Sequence, residues 1–404
     1  MAFTKIRALM TKLSDNFTFT GSVTGTTVAD NSVTNAKFAS TIAASNFSGT
    51  LPALDGSALT GVGAATTIAS DPTVSTNPAG GLGTLFVNST SGETYVCTDA
   101  TAGSNVWTNV GGGSGNIDPY NFQGTQFGYT VSGTTPSASN VVDKYSYSSD
   151  GDAADVCDLT VARASTATGK SITHGYCAGG LQGGSVFNDI DKFAFASDAD
   201  ATVVGDTLYS AGYQGSASSS TYGYMAGGAG TPVGETINKW SFSTDGNATD
   251  VGDLSQSSSP YAGQSSTTNG YVSGSEANVT NRIDKWSFST DGNATTVGVL
   301  TVGRSQAASS SSTTHGYTAG GYSTHNVIDR FSFASDGNAT DWADLSSGDS
   351  YEGGSSSTTH GYCAGGGYPP IHNKIHKFSF TSQASSTDIG NLTVARRFCG
   401  GTQF

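Results

Sequence analysis

Residues 313–321 read TTHGYTAGG. A glycine pair behind a His-Gly-Tyr step suits two structures: a loop presenting a reactive histidine, or a piece of repeated scaffold. The sister copies decide. The Gly-Tyr step recurs at Gly128, Gly175, Gly223, Gly270, Gly316 and Gly361, always 45 to 48 residues apart. A second marker keeps the same beat: VDKYSY from Val142, IDKFAF from Ile190, INKWSF from Ile237, IDKWSF from Ile283, IDRFSF from Ile328 and IHKFSF from Ile375. Two independent markers in six copies establish an internal repeat.

Each copy divides into strands. GYTAGG is a short apolar strand whose glycines allow close backbone approach. IDRFSF alternates with a period of two, setting Phe331 and Phe333 on one face and Ile328 on the other, so its sheet is covered on both sides. SDGNAT follows, and its Asp336-Gly337 suits the positive φ of a tight hairpin. TDWADL is a further strand, and a Ser-rich stretch leads to the next copy. Four strands per period, packed on both faces, predict an all-β fold with a six-bladed β-propeller, and TTHGYTAGG becomes an inner strand of one blade.

The copies resemble kelch repeats over roughly residues 124–404. The resemblance rests on a double glycine ending one strand, an aromatic residue in the next, and Arg163, Arg304 and Arg396 in TVARAS, TVGRSQ and TVARRF. The chain departs from that family in its Ser-rich inner strands and Asp-Gly-Asn turns. It lacks a Tyr, Cys and His set for the copper chemistry known among kelch-like folds. The first copy begins at its second strand, so the tail LTVARRFCGGTQF is expected to supply the missing first strand and close the ring.

Strand order sorts the connections. First-to-second and third-to-fourth turns share one face and are uniform (THGY, DGNAT). The other connections share the opposite face and differ between copies, among them LQGGSVFND, AGTPVGET, GGYPPIHNK, LYSAGYQGS and LSSGDSYEG. A uniform scaffold on one side and individual loops on the other is how binding faces are built. The ligand-binding expectation therefore falls on Tyr213, Tyr261, Tyr322, Tyr351 and Tyr368, with Arg163, Arg304 and Arg396 as grips for an anionic sugar.

Ahead of the repeat the texture changes. Residues 1–20 read as an N-terminal anchor, with Lys5, Arg7 and Lys12 interrupting the apolar run that a secretory signal needs. Residues 21–65, including SGTLPALDGSALTGV, resemble the shafts of bacteriophage fibre proteins. Residues 66–115 form a small β module, with strands at TLFVN, ETYVCTDA and NVWTNV, ending in a GGGSG hinge; VN-x-T-x-G-E-x-Y-V-C-T-D is similar to segments of phage tail-fibre chains. Residues 116–404 are the propeller. The resemblance implies a virion fibre assembled in a bacterial cytoplasm. It further implies a homotrimer through residues 14–63, other virion proteins at the N-terminus, and a host-surface glycan or protein at the tip. In that layout the stalk enters on the uniform-turn face.

Composition excludes several classes. A net charge of −14 with only 17 Lys plus Arg argues against nucleic-acid binding. No run of 18 apolar residues predicts membrane insertion. Cys97, Cys157, Cys177, Cys363 and Cys399 form no zinc-ligand spacing and are expected reduced. His174, His315 and His360 share one repeat position with Phe127, Tyr222 and Asn269, which marks a turn residue. His372 and His376 would stand more than about 12 Å apart in a straight strand, so only a bend could pair them on a metal. The expectation is no metal and no cofactor. Glu235, Glu276 and Glu352 lie in variable loops of different copies with no visible convergence, so no enzyme is expected.

Overall fold

The computed structural model describes residues 65–110, 120–229, 234–275, 280–322, 326–367 and 370–404. The expected anchor, shaft, trimer segment and hinge lie outside the described residues. Among the described residues the protein is all-β, without helices, and consists largely of antiparallel sheets.

The small module pairs Thr66–Ile68 in parallel with Leu85–Asn88, followed by antiparallel Thr94–Asp99 and Val106–Asn109. Phe86, Tyr95, Cys97 and Trp107 form its core, with the Phe86 and Trp107 rings 5.5 Å apart, edge to face.

Each of the six copies builds one sheet. Sheet five shows the pattern: Ala308–Ser311, His315–Ala319, Val327–Ser332 and Thr340–Asp344, in that spatial order. TTHGYTAGG yields the second strand, the place expected for the Gly-Tyr step. The Gly-Tyr step has a steric cause. Gly316 lies directly opposite Phe331, and a Cβ at Gly316 would come within 2.4 Å of that ring. The same clash, with a Tyr, Phe or Trp, recurs at Gly128, Gly175, Gly223, Gly270 and Gly361. The glycine pair has a different cause. Gly320 and Gly321 adopt φ of +66° and +123°, and Gly321 donates its N–H to the Asp349 carbonyl of the following loop at 2.7 Å.

Sheet one is assembled from both ends of the repeat region. Gly400–Gln403 pairs antiparallel with Phe127–Val131, which pairs with Ser137–Ser146 and through it with Ala154–Arg163. The tail therefore supplies the first strand, as its composition suggests. The first strands of successive sheets are neighbours: Ala167–Lys170, Gly215–Ser218, Ala262–Ser265, Ala308–Ser311 and Gly353–Ser356 follow one another. Gly400–Gln403 lies against both the last and the first of these. Serine chemistry joins them. The N–H groups of Lys170, Ser218, Ser265 and Ser311 donate to the hydroxyls of Ser218, Ser265, Ser311 and Ser356 in the next sheet, at 2.8–3.0 Å. Where these strands pass closest there is room only for glycine: a Cβ at Gly401 would lie 2.2 Å from the Gly354 carbonyl oxygen.

The DGN segments correct the sequence reading. Neither Asp336 nor Gly337 lies in the left-handed region, though Gly151, Gly246 and Gly292 of the sister segments have φ of +151° to +157°, and seven residues separate the strands, too many for a tight hairpin. Their side chains instead reach the neighbouring sheet. Asp198, Asp245, Asp291, Asp336 and Asp150 accept from Lys144, Lys192, Lys239, Lys285 and Lys377 at 2.5–2.8 Å. The last of these joins sheet six to sheet one. Asn247, Asn293 and Asn338 accept backbone N–H groups of Asp206, Asp253 and Val299.

Candidate functional site

The fourth-to-first connections carry a repeated backbone irregularity. Ser165, Tyr213, Tyr261, Gln306, Tyr351 and Phe398 occupy one repeat position and all have φ between +57° and +67°. Such a conformation favours glycine by about 1 kcal/mol or more. In a chain of 55 glycines, none stands there.

These residues converge. The Tyr213 and Tyr261 rings lie 5.1 Å apart, Tyr213 and Phe398 6.2 Å, and Tyr351 and Phe398 4.1 Å. Backbone bonds hold the loops in register: Tyr213 N–H donates to Ser165, Ser165 N–H to Phe398, and Tyr351 N–H to Gln306, at 2.8–3.1 Å. The Arg397 guanidinium sits 5.6 Å from the Tyr351 ring centre and 5.1 Å from that of Phe398. A cavity lined by all six residues lies beneath. An open groove beside it is walled by Tyr213, Phe398, Leu181 and Pro136, with Thr134, Ser137 and Ser165 contributing hydroxyls. Aromatic faces beside hydroxyls and one guanidinium can stack on a sugar ring and bond its hydroxyl groups.

Adjoining this cavity is a second, polar cavity lined mostly by Ser, Thr and Gly residues of the first strands and by Phe122 of the incoming chain. The incoming chain lies across the C-terminal ends of the first strands. Lys170 Nζ donates to the Asn121 carbonyl at 3.2 Å, Gln123 to Ser311 at 2.7 Å and Gln403 to Phe122 at 2.8 Å. The chain thus enters the six-sheet region on the uniform-turn face, and the aromatic cluster is on the opposite one.

Of the tyrosines expected from sequence, Tyr213, Tyr261 and Tyr351 come together. Tyr322 is 41% exposed and outside the cluster, its N–H donating to Ser305, and Tyr368 lies outside the described residues. The arginine expectation is corrected. Arg163, Arg304 and Arg396 are fully buried and face Asp191, Asp329 and Asp143 at 2.9, 2.7 and 3.2 Å, so a ligand cannot reach them. They also donate to the carbonyls of Cys177, Thr318 and Thr130 in the second strands. Arg397, one residue on, is the cation that reaches the aromatic cluster. Phe398, Gln306 and Ser165 were also missed; counting six residues from Leu392, Leu300 and Leu159 would have found them.

His174, His315 and His360 open second strands, each with Nδ1 2.8 Å from the preceding threonine hydroxyl, and burial lowers their pKa. All five cysteines are free. His372 and His376 are closer than a straight strand allows, with ring centres 6.2 Å apart, because the third strand begins only at Lys374.

No protein-family model matches this chain, and no curated protein matches it.

Proposed function

We propose that the six sheets are the blades of a kelch-like β-propeller, and that this propeller is the receptor-binding tip of a bacteriophage fibre. The closure is supported by the succession of first strands that returns to its start and by Gly400–Gln403 completing sheet one. Removing residues 399–404 should then abolish the cooperative thermal transition; an unchanged transition would overturn the closed ring.

The observation that carries the binding reading is the set of six non-glycine residues held at positive φ. Backbone energy favours glycine at each, so side chains are kept there for what they do, and four of the six are aromatic. They gather on the face opposite chain entry, the end a fibre would present to a host surface. The ligand is a host-surface glycan or protein, with the half-buried rings of Tyr213, Tyr261 and Phe398 and the adjoining groove as its seat, and the buried Tyr351 behind them. The virion setting and the homotrimer rest on the resemblance of residues 14–63 and 66–110 to phage fibre chains.

A polysaccharide depolymerase has one observation in its favour, the approach of Asp349 and Glu352, whose oxygens lie within 4.8 Å. Both carboxylates are 5% exposed, which leaves no access for a glycosidic bond. Binding without cleavage is therefore the reading adopted. The test is to present the full chain to an array of bacterial surface polysaccharides. Retention without oligosaccharide release is expected. Release would overturn the non-enzymatic reading, and failure to bind any polysaccharide or whole cell would overturn the receptor role.

A further inference from the structure

Five sheets share an electrostatic rule at one buried position, and sheet six breaks it. The second residue of each marker is Asp143, Asp191, Asn238, Asp284, Asp329 or His376. Every carboxylate at this position has an arginine: Arg396 for Asp143, Arg163 for Asp191, Arg304 for Asp329, and Arg282, at 3.1 Å, for Asp284. Asn238 is neutral, and Ala211 stands at the arginine position of its copy. In sheet six the arginine position holds Asp349, four residues after Leu345 as Arg304 is after Leu300, and the carboxylate position holds His376. The pair is reversed and its fixed cation is gone.

A second acid adds to the imbalance. Glu352 is 5% exposed, and neither of its carboxylate oxygens has a hydrogen-bond partner. One ligand atom each from Asp349, Glu352 and His376 lies within 4.8 Å of the others. His376 is fully buried. Its Nδ1 is 3.2 Å from the Ser346 hydroxyl, while Nε2 points toward Asp349 Oδ2 at 3.5 Å without a hydrogen bond. His372 approaches from the other side, Nε2 2.5 Å from Asp349 Oδ1. The pocket is tight: a Cβ at Gly366 would lie 2.6 Å from Glu352 Cγ.

We infer that Asp349, Glu352 and His376 bind one divalent transition-metal ion of the zinc class. One imidazole and two carboxylates make a three-ligand nitrogen–oxygen set suited to that ion, with His372 holding Asp349 from outside it. Two positive charges neutralise the two buried carboxylates, so the ion takes the place of the arginine in the sister sheets. With Nδ1–H donating to Ser346, His376 offers its Nε2 lone pair to the metal, the usual way a second partner fixes a ligating histidine. The ion ties the loop carrying Tyr351 to the third strand of sheet six, Lys374–Ser379.

The test uses the full chain, stripped with EDTA, dialysed and titrated with zinc chloride. One zinc per chain is expected, with a rise in melting temperature that EDTA reverses. Cobalt chloride should give the visible absorption of a tetrahedral site without a thiolate charge-transfer band. Glu352→Gln should weaken zinc binding at least 100-fold. A second variant guards against misfolding: Asp349→Arg, Glu352→Thr and His376→Asp together copy Arg163, Thr166 and Asp191 of sheet two. It should fold without metal and bind none. The inference is overturned if the wild-type chain takes up no stoichiometric zinc or cobalt, if the triple variant binds as much as wild type, or if cobalt reports cysteine ligation.

Discussion

The two faces of the six-sheet unit follow opposite rules. On the uniform face the same contact is made again and again: a lysine of one sheet to an aspartate of the next, five times, at exposed positions. On the variable face the exposed residues differ between copies, but a repeated buried frame lies beneath them. It consists of an arginine–aspartate pair and a glycine N–H bonded to the carbonyl at the arginine position. Variation is affordable where the frame below is rigid, and the uniform face shows what the loops look like when only assembly is required.

The largest effect should come from breaking the buried frame. Arg304→Met leaves Asp329 fully buried with only the Thr301 N–H and hydroxyl as partners. Destabilisation of about 3–5 kcal/mol is expected in urea unfolding. Adding Asp329→Asn should recover most of it, because sheet three already holds Asn238 at that position, bonded to the Leu208 N–H at 3.1 Å. If the double variant is as unstable as the single one, the frame is not an electrostatic pair.

A smaller effect tests the entry side. Burial beneath Tyr120 and Asn121 pushes the Lys170 ammonium down to about 8. The unfolded chain keeps that proton to about 10.4. Between these pH values the unfolded state binds more protons, so stability rises with pH, by roughly 2–3 kcal/mol for this group. Lys170→Met should remove that rise. A wild-type and variant pair with parallel pH profiles would mean that the incoming chain does not cover the strand ends.

The smallest effect belongs to the surface staples. The Lys285 and Asp336 side chains are 25% and 57% exposed. Lys285→Ala should cost less than about 1 kcal/mol, and less still at high salt. A cost comparable to Arg304→Met would erase the distinction between exposed staples and buried frame.

Most of the six-sheet architecture was legible because two markers recur with nearly constant spacing, and because the tail carries the first-strand pattern of its sisters. The Asp-Gly segments were misread: local turn propensity gave way to contacts with the neighbouring sheet, which a sequence does not display. Three of the four aromatic residues of the site, Tyr213, Tyr261 and Tyr351, were visible as tyrosines in variable loops. Phe398 was hidden because it lies in the connection to the last strand, Gly400–Gln403. The Asp349–His376 reversal was also present in the sequence. It emerges only when the arginine and marker positions are compared as a pair, 27 residues apart, and the structure makes that comparison by placing the two side chains together.

The central claim is that the variable face, and not the uniform one, binds the host surface. It is tested most directly by comparing two variants of the full chain on bacterial surface polysaccharides: Tyr213→Ala with Tyr261→Ala on one face, and Lys192→Ala with Lys239→Ala on the other. Both should melt within a few degrees of wild type. The account predicts at least a tenfold loss of binding for the tyrosine variant and unchanged binding for the lysine variant. Wild-type binding by the tyrosine variant, or loss confined to the lysine variant, would contradict it.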